Sequence, residues 1–302
     1  LRRVLSYSMI NQIGFMVCGI GLGTELALNG AVSHAFNDVL FKGLLFMSMG
    51  AVLHMTGKIN GTDLGGLYKT MPITTVLCIV GAASISAFPL FSGFVSKGMV
   101  MAAAAEEGHS VVFLLLLFAS AGVFHHAGIK IPYFAFFGHD SGIRTGEPPL
   151  NMLIAMAIAA GFCIFNGCYP WVLYSLLPWE VNYQPYTWSH IISQSQLLLF
   201  SALAFSLLMI SGLYPPEMKL INLDVDWLYR RLGLSLILST QRVTIAVWTE
   251  CRNMLRSFLT KILYFTRTHA GPGGVLARTW STSTGAVYVL VILAGYLLLY
   301  YR

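Results

Sequence analysis

The sequence predicts an all-α protein: a polytopic transmembrane helical bundle of about seven spans, one of them broken, with a basic helix lying in the membrane interface. Three observations lead there. Of 302 residues, 56% are apolar and only 10% are charged, against about 25% charged in a soluble domain. So few charges could not cover the surface of a soluble enzyme. The apolar residues gather in continuous runs of the ~20 residues that a crossing helix needs, and they lack the alternation of an outer-membrane barrel. The basic residues are distributed unevenly between the loops, as membrane topology requires.

The runs place spans at 4–22, 26–54, 72–107 (interrupted), 110–137, 150–178, 192–214 and 284–301. With the N-terminus in the cytoplasm, segments 1–3, 55–72, 138–149 and 215–283 hold 14 of the 18 Lys and Arg. This asymmetry sets the orientation, and the net charge of +6 then reports topology and contact with anionic lipid rather than nucleic acid. Arg2 and Arg3 stand directly before an apolar helix, with no initiator Met and no signal-peptide order. The expectation is the C-terminal part of a longer protein. The organisation reads as 1–140, further transmembrane helices in 141–214, a cytoplasmic or interfacial basic segment in 215–283, and a last crossing helix in 284–302.

Within 72–107, Pro89 removes a backbone donor and frees the carbonyl four residues earlier. In lipid such a break persists only where protein or water satisfies the freed groups, and broken helices recur in ion-coupled transporters. In 215–283, Pro215 and Pro216 end the preceding helix, Asp224 and Asp226 precede Arg230 and Arg231, and from 232 to 266 apolar residues alternate with basic ones. A basic helix with an apolar face lies in the interface, either as a solvated surface element or as a lateral clamp on neighbouring subunits.

The second span carries His34, Asp38 and Lys42. Steps of four residues put all three on one helix face, with Ser33 and Asn37 beside it. Each ionisable group costs ~2.5–3.5 kcal/mol at the bilayer centre, so the row must face protein, water or a partner. Asp38 and Lys42 have the spacing of a neutralising pair. His titrates near neutral pH and a desolvated Lys shifts toward it, so the row suits proton transfer. A buried ion pair that only fixes packing is the structural alternative. Lys97, just past the break, is a second candidate for a mid-membrane cation. His125, His126 and Lys130 form a possible further stretch of pathway. Metal binding at His34 and Asp38 would need more ligands, with only the two adjacent histidines at hand. The five cysteines form no CxxC and read as small apolar packing residues. No phosphate loop, dinucleotide motif or nucleophile elbow is present, so no catalytic chemistry and no cofactor is implied.

Four motifs in order, RRVLSYSMINQIGFM, HAFNDVLFKGLLF, DLGGLYKTMP and SAFPLFSGFVSK, resemble the antiporter-like proton-translocating family. Its members include the large membrane subunits of respiratory complex I and the A and D subunits of Mrp-type sodium/proton antiporters. The stretch from HHAGIKIPYFAFF to LYPPE looks most like the D branch of the Mrp antiporters. The resemblance implies inverted five-helix repeats, each with a broken helix, of which 1–140 would be most of the second. It implies that His34 and Lys42 are a conducting histidine and central lysine, and Lys97 the terminal lysine that gates protons to the outside. Asp38 stands where many members carry His, and an acid there would hold Lys42 protonated and bias transport toward a cation. The family's glutamate–lysine pair of the first repeat is absent. The implied function is proton translocation in exchange for a monovalent cation, within a multisubunit antiporter of the plasma membrane. The alternatives are a pumping subunit of a complex I-type NADH–quinone oxidoreductase and a non-conducting scaffold. The implied partners are other membrane subunits, protons, sodium and lipid.

Overall fold

The structure, a computed structural model, describes residues 1–213 and 225–301. The expectations placed on Pro215, Pro216, Asp224 and Arg302 lie outside the described residues. Two compact units form, Leu1–Lys219 and Leu220–Arg302.

The first unit is a helical bundle. Its helices are α1 (Arg2–Leu22), α2 (Glu25–Thr56), α3 (Pro72–Ile85), α4 (Ser92–Glu106), α5 (Ser110–Phe137), α6 (Leu150–Cys168), the short α7 (Pro170–Tyr174) and α8 (Trp188–Ile210). Across both units, six helices are long and apolar enough to cross a membrane. The broken pair α3 and α4 lies where the sequence places the interrupted span. The chain is a multi-pass membrane protein. The fifth span is shorter than its hydropathy suggested, because Gly167 and Pro170 end the helix and start α7.

The long helix α2 is central, packing on α1, α3, α4 and α6. Thr24 caps its N-terminus by accepting from the Ala27 amide at 3.3 Å. Gly57, in the left-handed region at φ 68°, ends it as helix C-caps commonly do. Its buried face mixes Ala27, Ala31, Phe41, Leu44 and Leu45 with Ser33, His34, Asn37, Asp38 and Lys42. The opposite face leaves Val32, Phe36 and Val39 exposed, as lipid contact allows.

The basic-loop end is tied by charge and close backbone approach. Asp140 accepts from Arg144 Nη1 and Nη2 at 2.9 and 2.7 Å, from the Gly142 amide at 3.0 Å and from Lys69 Nζ at 3.0 Å. Those donors, Arg144 foremost, hold its carboxyl well below the usual carboxylate range. A depressed carboxylate contributes above its unfolded value of about 4 and loses that contribution only as pH falls through the folded one. The tie is therefore constant at physiological pH. Glu147 accepts from the Ile73 amide at 2.5 Å and the Thr74 hydroxyl at 2.6 Å, capping α3 where its dipole is positive. Gly65 explains part of the DLGG motif. It sits at φ 129°, and a Cβ there would stand on the His139 carbonyl oxygen.

The second unit holds α9 (Leu234–Ala270), entered through a π-helical turn at Leu228–Gly233, and α10 (Thr282–Tyr300). At 100° per residue, Val247, Met254, Leu255, Phe258 and Ile262 share one side of α9, with Arg242, Arg252, Arg256 and Arg267 opposite. This is the amphipathic basic helix the sequence suggests.

Gly65→Ala in the full-length protein should cost ~1–3 kcal/mol from its disfavoured backbone region alone, seen as a lowered thermal-unfolding midpoint in detergent. Gly14→Ala, where a Cβ meets nothing within 4 Å, should leave the midpoint unchanged.

Candidate functional site

The break between α3 and α4 is built from unusual backbone. Ala87 and Leu90 adopt φ 62° and 74°, a region that non-glycine residues rarely occupy and that commonly marks functional sites. Neighbouring protein encloses it. A Cβ at Gly93 would meet the Ser84 carbonyl oxygen, and one at Gly167 would meet the Leu90 carbonyl, so α4 and α6 both press against the turn.

Pro89 frees the carbonyl of Ile85, and Lys97 takes it: Nζ donates to the Ile85 oxygen at 2.6 Å. The ammonium thus sits at the C-terminal end of α3, where the helix dipole is negative. Lys97 is 1% exposed, and Nζ lies 5.3 Å from the Phe15 ring centroid. A lysine reaching out to lipid headgroups is therefore excluded.

His34, Asp38 and Lys42 all point into the protein, at 0%, 6% and 3% exposure. Lys42 Nζ donates to the Leu5 carbonyl at 3.5 Å, at the weak limit of a hydrogen bond. Asp38 and Lys42 form no salt bridge, which corrects the direct neutralising contact that their spacing permits. Asp38 instead interacts electrostatically with both Lys42 and Lys97. Its Oδ1 is buried without a hydrogen-bond partner among the described residues.

His34 connects three helices. Its Nε2 donates to Gln12 Oε1 of α1 at 3.1 Å, and its Nδ1 lies 2.9 Å from Ser96 Oγ of α4. The Ser96 hydroxyl also reaches the Ser92 carbonyl at 3.3 Å. It has one hydrogen and two acceptors. Neutral His34 accepts that hydrogen, while protonated His34 donates and turns it toward Ser92. The residue beside Lys97 therefore reads the charge of His34. Beside them, Asn37 donates to the Ser92 carbonyl at 3.3 Å and accepts from Asn166 at 2.9 Å, joining α2, α4 and α6.

Beside these groups, the buried hydroxyls of Ser8 and Ser33 have no protein partner among the described residues, while those of Ser84 and Ser92 face Cys163. The antiparallel register that sets Leu5 against Lys42 and Gln12 against His34 puts Ser8 level with Asp38. Two buried polar groups with unused hydrogen-bonding capacity thus share one level of the bundle. Buried polar groups are nearly always hydrogen-bonded, so the arrangement calls for ordered water at several points along the axis.

His126 interacts electrostatically with Lys42 and Lys97 of the row, while the nearest contacts of both histidines lie elsewhere. His125 packs edge-to-face on Phe205 with centroids 5.2 Å apart. His126 Nδ1 donates to the Gly122 carbonyl of its own helix at 2.6 Å. Both lie, like Lys130, in or beside the π-helical segments Phe124–Ile129 and Tyr133–Phe137 of α5, a distortion frequent at functional sites. Gln12, Ser96 and Asn166 are not among the candidates that the sequence alone points to. A signal for Gln12 is nonetheless present: Leu5, Ser8, Gln12 and Phe15 recur at three- and four-residue steps, so the polar members of α1 share a face.

A buried row of ionisable groups, protein-facing and ending at a strained helix break, defines a class: polytopic membrane proteins with a polar axis at mid-membrane. Residues 1–125 match the family model NADH:quinone oxidoreductase/Mrp antiporter, TM. Among relatives, the chain is 32% identical to the D subunit of an Na(+)/H(+) antiporter of Alkalihalophilus pseudofirmus over 170 residues, 53% of this chain and 34% of that protein. It is 31% identical to the L subunit of an NADH-quinone oxidoreductase of Campylobacter jejuni, over 54% of this chain and 28% of that one. The chain thus spans about a third or less of these curated relatives. The fold is similar to a chain of the Mrp complex from Dietzia sp., with a TM-score of 0.63 and 22% identity over 87% of this chain and 31% of that one. It is also similar to a chain of the archaeal membrane-bound sulfane sulfur reductase, with a TM-score of 0.55 and 24% identity over 96% of this chain and 51% of that one.

Lys97→Met in the full-length protein should lower stability by ~1–3 kcal/mol, because the Ile85 carbonyl is left buried and unpaired. Lys58→Met, on the exposed loop past α2, should not. Thermal unfolding of the two variants against wild type checks this.

Proposed function

We propose that this chain moves protons along the axis from Lys42 through Asp38 and His34 to Lys97, as part of a multisubunit sodium/proton antiporter of the Mrp type in the plasma membrane. The observation that supports the reading is that four ionisable groups lie buried together while Asp38 and Lys42 stay out of contact and buried hydroxyls beside them lack partners among the described residues. A packing device would join opposite charges directly, since an uncompensated buried charge is costly. An axis awaiting water leaves them apart, so that bridging molecules can relay protons.

In this reading Lys42 and Lys97 hold protons in turn, and Asp38 sets how strongly each is held. A proton reaching His34 turns the Ser96 hydroxyl toward Ser92. The positive charge then stands next to Lys97 and favours release of its proton toward the end away from the basic loops. Each charge that crosses 100 mV involves ~2.3 kcal/mol, which sodium flux through the assembly would supply or consume. His125, His126 and Lys130 are proposed as a lateral branch, reached through the widened turns of α5.

A second reading, a proton-pumping subunit of a complex I-type quinone oxidoreductase, draws on relatives of similar identity: the NADH-quinone oxidoreductase subunit above and the L subunit of an F(420)H(2) dehydrogenase of Methanosarcina mazei, 34% identical over 185 residues. The axis would be the same and only the energy source would differ.

Lys42→Ala and Lys97→Ala in the full-length protein should each reduce proton transport to background while the complex still assembles, measured by quenching of a pH-sensitive dye in membrane vesicles. Wild-type rates in both would end the reading. Exchanging Asp38 and Lys42 together for Leu and Met should be tolerated by a scaffold and should abolish transport by a conductor.

A further inference from the structure

Helix α6 sends an amide into the axis. Asn166 is 5% exposed and lies beyond residues 1–125, the segment that matches the family model. Its Nδ2 donates to Asn37 Oδ1 at 2.9 Å, and Asn37 Nδ2 donates to the Ser92 carbonyl at 3.3 Å. The far end of this chain fixes its direction. A carbonyl only accepts, so Asn37 must turn its amino group to Ser92, and its oxygen is left for Asn166. The helix is seated closely here. Cys163, one turn before Asn166, faces the Ser92 hydroxyl, and a Cβ at Gly167 would stand on the Leu90 carbonyl.

The Ser92 carbonyl has more donors than it can satisfy. It opens α4, so its helical partner is the Ser96 amide, four residues on. One lone pair then remains. Asn37 Nδ2 and the Ser96 hydroxyl both stand 3.3 Å from the oxygen and compete for it. While Asn37 holds the carbonyl, the Ser96 hydrogen is better placed on His34 Nδ1, 2.9 Å away. If Asn37 lets go, the hydroxyl turns to Ser92 and presents its oxygen to His34. A neutral imidazole then loses a donor, and a protonated one gains an acceptor.

We propose that Asn166 is a positioning residue for the proton relay: by fixing the Asn37 amide on the Ser92 carbonyl, it keeps the Ser96 hydrogen on His34 and so sets how readily His34 takes a proton. This inference rests on the proton-transfer reading above. The charged groups around His34 are Asp38 and Lys42 on its own helix and Lys97 on α4. From α1 it meets Gln12 and Phe15. Helices α3 and α6, which also pack on α2, carry no acid, base or histidine. Replacing Asn166 therefore alters the hydrogen bonds around His34 and leaves the charges in place.

The test uses the full-length protein in its natural assembly, in membrane vesicles, with proton transport followed at stepped pH. Asn166→Leu removes the amide at similar size. It should move the midpoint of the pH dependence upward by about half to one unit, the worth of one net hydrogen bond. Asn166→Ser, whose hydroxyl stops short of Asn37, should do the same and serves where leucine blocks assembly. A purely structural role lowers the rate equally at every pH. A midpoint that stays put or falls in these variants, beside an active wild type, overturns the proposal. Nitrogen NMR of the assembly labelled at histidine reads the switch without transport. At alkaline pH the Nδ1 signal of His34, identified by its loss in His34→Gln, should move toward that of an unbonded acceptor in the Asn166 variants. An unmoved signal also overturns the proposal. A wild type that carries no protons sinks the conduction reading itself, and the relay role with it, whatever the NMR shows.

Discussion

A backbone carbonyl released at a helix break, and the lysine that caps it, set the terms for the rest of this molecule. Inside a bilayer no water waits at the lipid face to pair a freed carbonyl. Ending α3 in mid-membrane is therefore possible only if something polar comes to Ile85, and Lys97 does. The charge that closes the break then needs its own surroundings. The C-terminal dipole of α3, the Phe15 ring and the field of Asp38 provide them. Once a cation is seated there, the polar residues of α1, α2 and α6 have a reason to face inward. The row along α2 and the break are one construction.

The same constraint explains why the axis is discontinuous. A fully paired network would be stable and static, and an apolar core would be more stable still. The Lys42 and Asp38 groups, the Ser8 and Asp38 level, and the hydroxyl of Ser33 are instead left with capacity to spare. His34 is the exception. Both of its nitrogens are engaged, and through Ser96 its charge state is legible one residue from Lys97. A firmly seated switch between loosely satisfied neighbours is an arrangement suited to passing charge.

Much of this was legible in the residues. Hydropathy placed the six long apolar helices, because lipid demands long apolar runs and little else produces them. The four-residue steps of His34, Asp38 and Lys42 put them on one face, and Pro89 marked the break together with the carbonyl that would need a partner. What the sequence concealed depends on register between helices. That Gln12 meets His34, that Lys97 reaches back twelve residues to Ile85, and that Asn166 meets Asn37 follow from how α1, α3 and α6 pack on α2. The pairing of Asp38 with Lys42 shows the limit of spacing as evidence: i,i+4 allows a contact, and the surrounding helices decide whether it forms. The left-handed backbone at Ala87 and Leu90 was hidden because neither is glycine. The turn there is imposed by α4 and α6 closing on it.

The central claim is that water completes the axis. A high-resolution cryo-electron microscopy map of the full-length protein in a lipid nanodisc tests it most directly. The account predicts discrete water density between Lys42 and Lys97, touching Asp38 Oδ1 and the hydroxyls of Ser8 and Ser33. A dry axis, with those atoms closed off by protein groups and Asp38 drawn into direct contact with Lys42, would contradict it.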